Sequence, residues 1–512
     1  MMNNTTENIS LIRRVYKTVS MNILTLVVLL VATAMALSLT IPGTAFAKGA
    51  EKPNIVFILV DNWGWGDISI QGGKIATPKI DRLASEGLRF TNYNVETQCT
   101  PTRAAIHTGR LPIRSGTFRV THGTPYGLAP WEYTIAELLS DSGYDTALFG
   151  KWHLGRMEGR LPTNQGYDEW YGIKNSSGTA GYTSTPDYDS KALGTPNIWK
   201  GRKGQPSEEV EPFNMGNRGL IDREIVERSG QYIRKHAKSD NPFFLYVGMT
   251  QFHPPEGTHP DFVGKSNAGP FSDLVMEVDH HIGMILQSIE DAGIEDETIV
   301  ILTGDNGTVP GVKLEGFRGS NGPFRGGLNG YEGGLRTVGM IRWPKKIQPG
   351  QVSDEIIASL DWMPTLAHII GQEDRIPDDR PIDGINQADF IFGKQKKSNR
   401  EHIIAYVGKD LHAVKWRSFK IHFKTTEDRL SPVQTYSIPP IFNLKNDPGE
   451  RHPLFRYGKF EYTWVFTQVR KIVTPKKISM KVYPNIKVGE DFSGYNYLAT
   501  KVRRWIVDFK TR

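Results

Sequence analysis

Four short runs of β-branched and aromatic residues limit the folds that this chain can adopt. The first, Asn54-Ile-Val-Phe-Ile-Leu-Val60, is continuously apolar after its first residue, and similar runs follow at 146–149, 243–247 and 298–302. A strand without polar side chains on either face must be covered on both, which is typical of central strands in parallel sheets. The chain is therefore predicted to build its core around a largely parallel sheet.

Helical patterns fill the segments between these runs. The expected helices are 79–88, 133–140, 222–238 and 272–292. The residues expected to cap them are Thr77 and Ser272 at N-termini and Gly143 and Gly293 at C-termini. Alternation of strands and helices predicts an α/β class fold with a doubly wound sheet flanked by helices.

From about residue 400 the pattern changes to that of antiparallel strands. The strand-like runs lie at 401–407, 411–424 and 441–444. Turn sequences such as Asn446-Asp-Pro-Gly449 separate or follow them. We therefore predict a large α/β domain over 48–399 and a small C-terminal subdomain with a basic tail over 400–512.

The N-terminal segment has the pattern of an export signal. Three basic residues within the first 17 positions precede a run without charge over 22–47, which ends in Ala45-Phe-Ala47. This order predicts a cleavable signal peptide over 1–47 and a periplasmic or secreted protein. The run is also long enough to be an uncleaved anchor. No later stretch has the length and apolarity of a membrane span, so no stable membrane insertion is expected after cleavage.

Composition excludes some classes of function. The 512 residues include one Cys, which can form neither an internal disulfide nor a CxxC zinc site. A net charge of +7 is small for this length and does not indicate nucleic-acid binding. Residues 451–512, however, hold 14 Lys or Arg against 4 Asp or Glu. This tail is either a solvated face or a surface for a polyanion or an anionic surface.

Polar residues suited to chemistry stand where the four predicted strands end. In chain order they are Asp61, Asn62, Lys151, His153, Gln251, His253, Asp305 and Asn306. Each alone would more often be a turn residue, but carboxyl ends of parallel strands share one edge of a sheet, where ligands bind. The two Asp and two Asn side chains offer hard oxygen ligands, which suit Ca²⁺ or Mg²⁺ better than soft metals.

The single cysteine stands at the start of a short predicted helix. Within Cys99-Thr-Pro-Thr-Arg103, Pro101 suits the first helical position and Thr100 the cap, and Gly109 suits the end. Cys99 is therefore expected at a helix N-terminus, where free N–H groups favour an anion, with Arg103 close enough to add donors. A free Cys is often only a small buried hydrophobe, but the flanking Thr and Arg favour a functional thiol here.

Taken in order, these motifs resemble those of the type I sulfatases. Cys99-Thr-Pro-Thr-Arg103 is similar to the family signature C-x-P-x-R, and the resemblance extends over roughly residues 53–455 and is strongest to arylsulfatase-like members. The other matching blocks are Val60-Asp-Asn-Trp-Gly-Trp-Gly-Asp67, Gly150-Lys-Trp-His-Leu-Gly155, Asn164-Gln-Gly-Tyr-Asp-Glu-Trp-Tyr-Gly172, Thr303-Gly-Asp-Asn-Gly307, Tyr331-Glu-Gly-Gly-Leu-Arg336 and Phe442-Asn-Leu-Lys-Asn-Asp-Pro-Gly-Glu450.

The resemblance implies a sulfuric-ester hydrolase with an alkaline-phosphatase-like mixed sheet, a small C-terminal antiparallel sheet and one Ca²⁺, with Mg²⁺ as the alternative. It implies that a maturation enzyme oxidises Cys99 to 3-oxoalanine (formylglycine), whose hydrate is the nucleophile. The implied metal ligands are Asp61, Asn62, Asp305 and Asn306. The implied substrate is an aryl or carbohydrate sulfate.

Further roles are implied around the nucleophile. Arg103 and Lys151 would hold the oxygens of the hydrate and the sulfate. His153 would be the base that releases sulfate, since loss of a proton from the second hydroxyl expels it. His253 would contact the ester and protonate the leaving group, with His259 as a rival for that role.

The chain departs from the family pattern at two places. Many relatives have a second Asp where this chain has Asn62, which keeps the oxygen ligand with one negative charge fewer. Many also have a lysine shortly before the Tyr331 block, where this chain has none. Arg325 and Lys313 are the alternatives for the missing charge, so the identity of the leaving-group acid stays open.

Two other functions remain open at this stage. One is a phosphonate or phosphodiester hydrolase that uses the same aldehyde; the other is a non-catalytic binder of sulfated glycans that uses the basic tail. Substrate identity depends on pocket walls formed by the insertions 173–220 and 308–330. The aromatic residues there that suit stacking on a ring are Tyr182, Trp199 and Phe317.

Overall fold

A computed structural model describes residues 52–120, 126–308, 319–428, 431–454 and 460–511, without the side chains of 508–511. The predicted signal peptide over 1–47 lies outside the described residues, as do Lys313 and Phe317. Within the described ranges, no helix combines the length and apolarity needed to cross a bilayer.

The described residues form short strands and helices throughout the chain. The strands are β1 Asn54–Val60, β2 Leu88–Phe90, β3 Tyr93–Asn94, β4 Asp145–Lys151, β5 Glu169–Ile173, β6 Asn197–Arg202, β7 Glu208–Pro212, β8 Phe243–Gly248, β9 Thr298–Gly304, β10 Gly339–Arg342, β11 Gln351–Ser353, β12 Ile357–Ala358, β13 His402–Val407, β14 Asp410–Trp416, β15 Phe419–His422, β16 Lys424–Thr425, β17 Gln434–Thr435 and β18 Ile441–Asn443. The α-helices are α1 Pro78–Ser85, α2 Cys99–Thr108, α3 Ile135–Asp141, α4 Ser190–Leu193, α5 Ile221–His236, α6 Pro270–Asp291, α7 Glu332–Leu335, α8 Trp362–Ile369, α9 Ala388–Ile391, α10 Trp464–Val482 and α11 Tyr497–Thr511. The 3-10 helices are Ser69–Gln71, Pro162–Asn164, Ser177–Ser184, Ser359–Asp361, Glu373–Arg375 and Phe460–Tyr462.

The largest sheet is mixed, with a parallel centre. Its strand order in the described residues is β11-β2-β10-β9-β1-β8-β4-β5-β6-β7. The five strands from β9 to β5 run parallel, and β10 and β6 add antiparallel neighbours on either side. The mixed sheet flanked by helices that the sequence predicted is therefore confirmed.

Alternate residues of β1 pack against helices on opposite faces of this sheet. Val56 and Ile58 belong to a core with α1, α5 and α6, while Ile55 and Phe57 belong to a core with α2, α3 and α8. All four side chains are fully buried. Because helices pack on both faces of the sheet, β1 is apolar at every position after its first.

The ends of several helices differ from the sequence prediction. α6 is preceded by Gly269, and Ser272 lies inside it, where its hydroxyl donates to the Ala268 carbonyl. Thr77 does precede α1, but its hydroxyl contacts Ser69 and Asp81 and does not cap the helix. The predicted caps fail because nearby side chains, those of Ser69 and Asp81, bind the Thr77 hydroxyl, and because α6 already begins at Pro270.

The C-terminal region holds the predicted small antiparallel sheet, with the order β13-β14-β15-β18. The run 411–424, expected as one strand, is divided among β14, β15 and β16. Beyond residue 455 the described chain forms the helices α10 and α11, which the sequence analysis did not predict. The division at residue 400 stays a prediction.

A buried polar network joins this sheet to the large one. Glu332 accepts hydrogen bonds from Lys415 (2.8 Å) and Lys420 (2.9 Å) and pairs with Arg336. The Glu332 backbone N–H donates to the carboxylate of Glu450 at 2.7 Å. Two of the sequence blocks that resemble sulfatase motifs, 331–336 and 442–450, therefore meet in this network, which links the two regions.

Helix α10 is fastened to the loop after α2 by a second buried carboxylate. Asp383 accepts hydrogen bonds from Arg114 at 2.7 Å and from Lys476 of α10 at 2.6 Å. Burial alone would raise the pKa of Asp383, but these two cations outweigh it and lower the pKa to about 2.

We expect Asp383→Asn to lower the free energy of unfolding by about 3 kcal/mol at neutral pH, because Arg114 stays buried without its partner. The pKa of Asp383 is 3.8 in the unfolded chain and about 2 in the folded protein. Its carboxylate therefore stabilises the fold at pH values above 3.8, and this contribution is lost as the pH falls through about 2. The difference in free energy of unfolding between the variant and the parent should therefore be smaller in acid. Urea unfolding at neutral and acidic pH measures it. Asp389→Asn, which removes an exposed pair with Lys394, is the control and should have no measurable effect. An equal loss at both pH values would contradict the assignment.

Candidate active site

The two pairs of predicted oxygen ligands lie side by side because their strands are neighbours. β1 and β9 run parallel with Val60 opposite Gly304, so Asp61 and Asp305 leave the sheet at the same edge. The Asn62 backbone N–H donates to Asp305 Oδ1 at 3.0 Å, and Asn306 Nδ2 donates to Asn62 Oδ1 at 2.7 Å. The structure thus brings all four residues together, as the strand pattern predicted.

Two oxygens of this group have the character of metal ligands. Asp61 Oδ1 and Asn306 Oδ1 are buried and accept no hydrogen bond from the described residues. Buried oxygens of this kind are rarely left without a partner. A hard cation fits them, since carboxylate and amide oxygens are the donors that Ca²⁺ and Mg²⁺ take in proteins.

Cys99 lies beside the two carboxylates. Its Sγ and one carboxylate oxygen each of Asp61 and Asp305 lie within 4.8 Å of one another, and all three residues are buried. Helix α2 begins at Cys99 itself, with Gln98 as its N-cap, so the expected roles of Thr100 as cap and Pro101 as first residue were wrong. Gly109 ends the helix in a left-handed conformation, as predicted.

Thr100 has a different partner. Its hydroxyl donates to the backbone carbonyl of His153 at 3.1 Å, which joins the start of α2 to the chain that leaves β4. His153 itself has a φ of 60°, and Asn62 has a φ of 55°. Left-handed backbone is uncommon for residues other than glycine, and its presence at two site residues is typical of functional positions.

Arg103 and Lys151 neutralise the carboxylates. Arg103 donates through Nε (3.1 Å) and Nη2 (2.9 Å) to Asp305 Oδ2, and through Nη1 to the Lys151 carbonyl at 2.6 Å. Lys151 Nζ donates to Asp61 Oδ2 at 2.6 Å. The sequence had placed the Arg103 fork against Cys99, whereas in the structure most of it is used on Asp305.

Burial shifts the protonation of the central groups. It raises the pKa of the Cys99 thiol to about 11, against the opposing effect of Lys151. Burial and the charge of Asp61 together raise the pKa of Asp305 to about 6. Two carboxylates this close repel each other, and a bound cation relieves that repulsion.

His253 reaches the same edge of the sheet from the end of β8. Its Nε2 lies 3.0 Å from the Ser176 hydroxyl, and its Nδ1 lies 2.5 Å from the Pro254 carbonyl. Burial, with Lys151 nearby, lowers the pKa of His253 to about 3. The imidazole is therefore neutral near pH 7.

Three supporting residues in the insertion 173–220 were not foreseen. Ser176 contacts His253, and the Ser177 hydroxyl lies 3.4 Å from Asp61 Oδ2. Arg218 is fully buried and donates to the carbonyls of Thr250 (3.1 Å) and His253 (3.0 Å). No local motif marks these residues, since they reach the site through tertiary packing.

Two of the alternatives named for the missing charge or the leaving-group acid, His259 and Arg325, have other partners in the structure. His259 lies 3.4 Å from Asp261 and donates its backbone N–H to Glu277. Arg325 pairs with Glu427 and stacks over Tyr331 at 4.4 Å, in contact with the C-terminal region. Lys313 lies outside the described residues.

A cleft of about 1050 Å³ opens beside His153. Its walls include Lys174, Tyr182 and Trp199 from the insertion 173–220, as the sequence suggested for the two aromatic residues. The Lys174 ammonium lies 3.1 Å from the centre of the Trp199 ring. A cleft with an aromatic wall and a cation suits an anionic ligand with a ring.

The charges of the site favour an anion once a metal is bound. The Asp61 and Asp305 carboxylates are matched by Arg103 and Lys151. A divalent cation on the free oxygens would leave the site with two positive charges in a buried position. Such a site can bind an ester of sulfuric or phosphoric acid and stabilise charge that develops on its oxygens.

Comparison with known proteins agrees with this geometry. The profile of the Sulfatase family matches residues 53–372, and that of the C-terminal region of aryl-sulfatase matches residues 398–496. The chain is 34% identical over 468 residues to N-acetylgalactosamine-6-sulfatase of Homo sapiens, covering 83% of this chain and 86% of the relative. It is 30% identical over 507 residues to human steryl-sulfatase, with 80% and 85% covered.

Among solved structures, the PsFucS1 sulfatase from Pseudoalteromonas sp. is similar, with 32% identity and a TM-score of 0.80. The match covers 86% of this chain and 93% of that one. The residues matched by the two family profiles include the strands of both the large sheet and the C-terminal sheet. The chain therefore belongs to the sulfatase family, whose members hydrolyse sulfate esters.

Proposed function

We propose that this chain hydrolyses sulfate esters with a nucleophile made from Cys99, beside a Ca²⁺ ion held by Asp61, Asn62, Asp305 and Asn306. The observation that carries the proposal is the position of Cys99 Sγ, buried within 4.8 Å of carboxylate oxygens of Asp61 and Asp305. A single thiol next to the strand ends that carry these charged residues is better explained by a catalytic role than by a role in hydrophobic packing.

The conversion of Cys99 to formylglycine removes sulfur and two hydrogens and adds one oxygen, and a maturation enzyme supplies the oxidant. The hydrate of this aldehyde has two hydroxyl groups. One would attack the sulfur of the ester, and loss of a proton from the other would release sulfate. Because the thiol is 5% exposed, the maturation enzyme must act before this part of the chain folds.

The metal would be held by oxygens, with Asp61 Oδ1 and Asn306 Oδ1 as the ligands that lack other donors among the described residues. Bound by these residues, Ca²⁺ would supply positive charge that could polarise sulfate oxygens and orient the nucleophile. Mg²⁺ is the alternative, and it would demand more regular coordination.

The side chains around the nucleophile bind charge and move protons. Lys151 and Arg103 are held by Asp61 and Asp305, so their cations stand ready for the sulfate oxygens without rearrangement. His153, fixed by the Thr100 hydrogen bond to its carbonyl, takes the proton from the second hydroxyl.

His253 would donate a hydrogen bond to the ester oxygen and then the proton that the leaving group needs. Its pKa of about 3 is too low for an acid at neutral pH. An anionic ester in contact with the imidazole would raise that pKa, because the negative charge favours the protonated form. Ser176 keeps the ring in place until substrate arrives.

The substrate is proposed to be a carbohydrate or aryl sulfate. The cleft of about 1050 Å³ has room for a ring system, and Lys174 over Trp199 offers a cation and an aromatic wall. The name of the human relative, N-acetylgalactosamine-6-sulfatase, supports a sugar sulfate. A phosphonate monoester hydrolase shares the fold at 18% identity, which makes phosphorus esters the natural competing substrates to test.

We expect mass spectrometry of the peptide over residues 96–110 to find an aldehyde in place of the thiol. The same preparation should cleave 4-nitrophenyl sulfate with kcat/KM at least about 100-fold above that for 4-nitrophenyl phosphate, since the site is proposed to hold a monoanionic head. Protein expressed without a maturation enzyme is the control, and it should contain the thiol and lack turnover. Strong phosphate turnover without sulfate turnover would favour the phosphoester alternative.

A further inference from the structure

Helix α11, Tyr497–Thr511, presents apolar side chains to solvent along one side. Leu498, Val502 and Ile506 are spaced four residues apart and are 70%, 56% and 39% exposed. Trp505, 66% exposed, stands next to them on the helix surface. Residues at this spacing form one continuous stripe, whereas scattered exposed apolar residues are common and need no explanation.

The opposite side of α11 is fastened to the protein. Arg503 Nε donates to the Val482 carbonyl at the end of α10 (3.0 Å), and Arg504 Nη2 donates to the Tyr483 hydroxyl (2.9 Å). Ala499 and Arg503 are only partly exposed on that side. The contacts with α10 therefore hold the helix so that the stripe points away from the protein.

The helix and the segment that holds it carry a surplus of positive charge. Lys501 is exposed beside the stripe, three residues after Leu498 and four before Trp505. The whole segment 451–512 carries 14 Lys or Arg against 4 Asp or Glu. A helix with an exposed apolar stripe flanked by cations matches a surface that is apolar below and anionic above.

We propose that α11 docks on the surface of a lipid bilayer that contains anionic headgroups. The stripe enters the boundary between headgroups and acyl chains, while Lys501 contacts the phosphates. With 15 residues, the helix is about 22 Å long, which is shorter than the hydrocarbon core. It therefore lies in the plane of the interface and does not cross it.

Two other occupants fit the observations less well. A sulfated glycan would contact the cations, but it offers nothing for Leu498, Val502 and Ile506 to bury against. A second copy of the chain would cover the stripe, but it would bring two segments with a surplus of 10 positive charges each into contact. An anionic bilayer can bury the apolar stripe among its acyl chains and pair its headgroups with the cations.

The test is sedimentation of the exported protein with vesicles of equimolar phosphatidylcholine and phosphatidylglycerol. We expect binding to these vesicles at low salt and at least about 10-fold weaker binding to phosphatidylcholine alone. The double variant Leu498→Gln with Val502→Gln should also bind at least about 10-fold more weakly, since glutamine keeps the helix but removes apolar area. Lys501→Gln, which leaves the contacts with α10 in place, should weaken binding about 5-fold.

The matched control is Val263→Gln with Val352→Gln, which removes two exposed valines elsewhere and should bind as the parent does. All proteins must share one N-terminus, checked by mass spectrometry, and one unfolding temperature within error. Equal binding by the apolar variant and the parent would overturn the proposal, as would equal binding to both kinds of vesicle. Dimers in light scattering that the apolar variant abolishes would assign the stripe to a second copy instead.

Discussion

Replacing Cys99 with alanine is expected to lower kcat/KM for an aryl sulfate by at least about 10⁴-fold, which corresponds to about 5 kcal/mol of lost transition-state stabilisation. The reason is that alanine cannot become an aldehyde, and the chain contains no other cysteine. Asp61, Asp305, Arg103 and Lys151 remain in place, so the site should still bind sulfate. Initial-rate kinetics and calorimetric titration with the aryl sulfate measure the two effects separately.

A neighbouring change on the same helix separates chemistry from folding. Thr102 is buried, and its hydroxyl accepts a hydrogen bond from the Glu96 backbone at 2.9 Å. Thr102→Ala should cost about 1 kcal/mol of stability and leave turnover within about 10-fold of the parent. Turnover retained by Cys99→Ala would disprove the proposed nucleophile. Binding without turnover in the parent itself would favour a non-catalytic binder of sulfated glycans.

Sequence reasoning located this site because its main residues stand at strand ends. Asp61 and Asp305 could be placed together once β1 and β9 were recognised as parallel strands, since parallel strands deliver their carboxyl ends to one edge. The same rule brought Lys151 and His253 to that edge. To predict the site in this way, it was enough to identify the apolar runs and the residues that follow them.

What could not be predicted depends on contacts between distant segments. Ser176 and Arg218 reach His253 from an insertion whose path carries no periodic pattern. Helix α2 begins two residues before the predicted start, and Thr100, predicted as its cap, bonds instead to the His153 carbonyl, a partner 53 positions away. Helix propensity describes only local preferences, so such partners are invisible to it.

The helices α10 and α11 were also missed. α10 contains Pro475 in its interior, which sequence reasoning takes as a helix end, and the helical spacing of Leu498, Val502 and Ile506 in α11 was overlooked. α10 is held by partners such as Asp383, which lies 93 positions from Lys476 in the sequence. Val465 and Val469 also bury their side chains against Val414 and other residues of the C-terminal sheet, so tertiary packing and ion pairs together stabilise α10.

Removal of calcium is expected to lower kcat by at least about 100-fold and to destabilise the protein. Metal that binds only the folded state adds about 2.7 kcal/mol at 100 times its dissociation constant, so chelation with EGTA should lower the unfolding temperature. Returning Ca²⁺ should restore both properties. Thermal unfolding followed by fluorescence gives a measurement that does not depend on turnover.

The pH dependence of that stabilisation follows from Asp305. Its pKa in the metal-free fold, about 6, lies above the ordinary value of 3.8, so protonation stabilises this fold at low pH and the benefit is lost as pH rises through about 6. A bound cation relieves the repulsion between Asp305 and Asp61, so Asp305 no longer gains stability from being protonated. The rise in unfolding temperature on adding Ca²⁺ should therefore be larger at about pH 7 than at about pH 5.

Two substitutions of asparagine test whether the amide oxygens hold the ion. Asn306→Leu removes the buried Oδ1 that lacks a donor among the described residues, and it should weaken calcium binding at least about 10-fold. Asn62→Asp adds a negative charge at a left-handed position that aspartate tolerates, and it should tighten binding. If both variants bind calcium as the parent does, the ion is not held by these residues, and the free oxygens of Asp61 and Asn306 need another explanation.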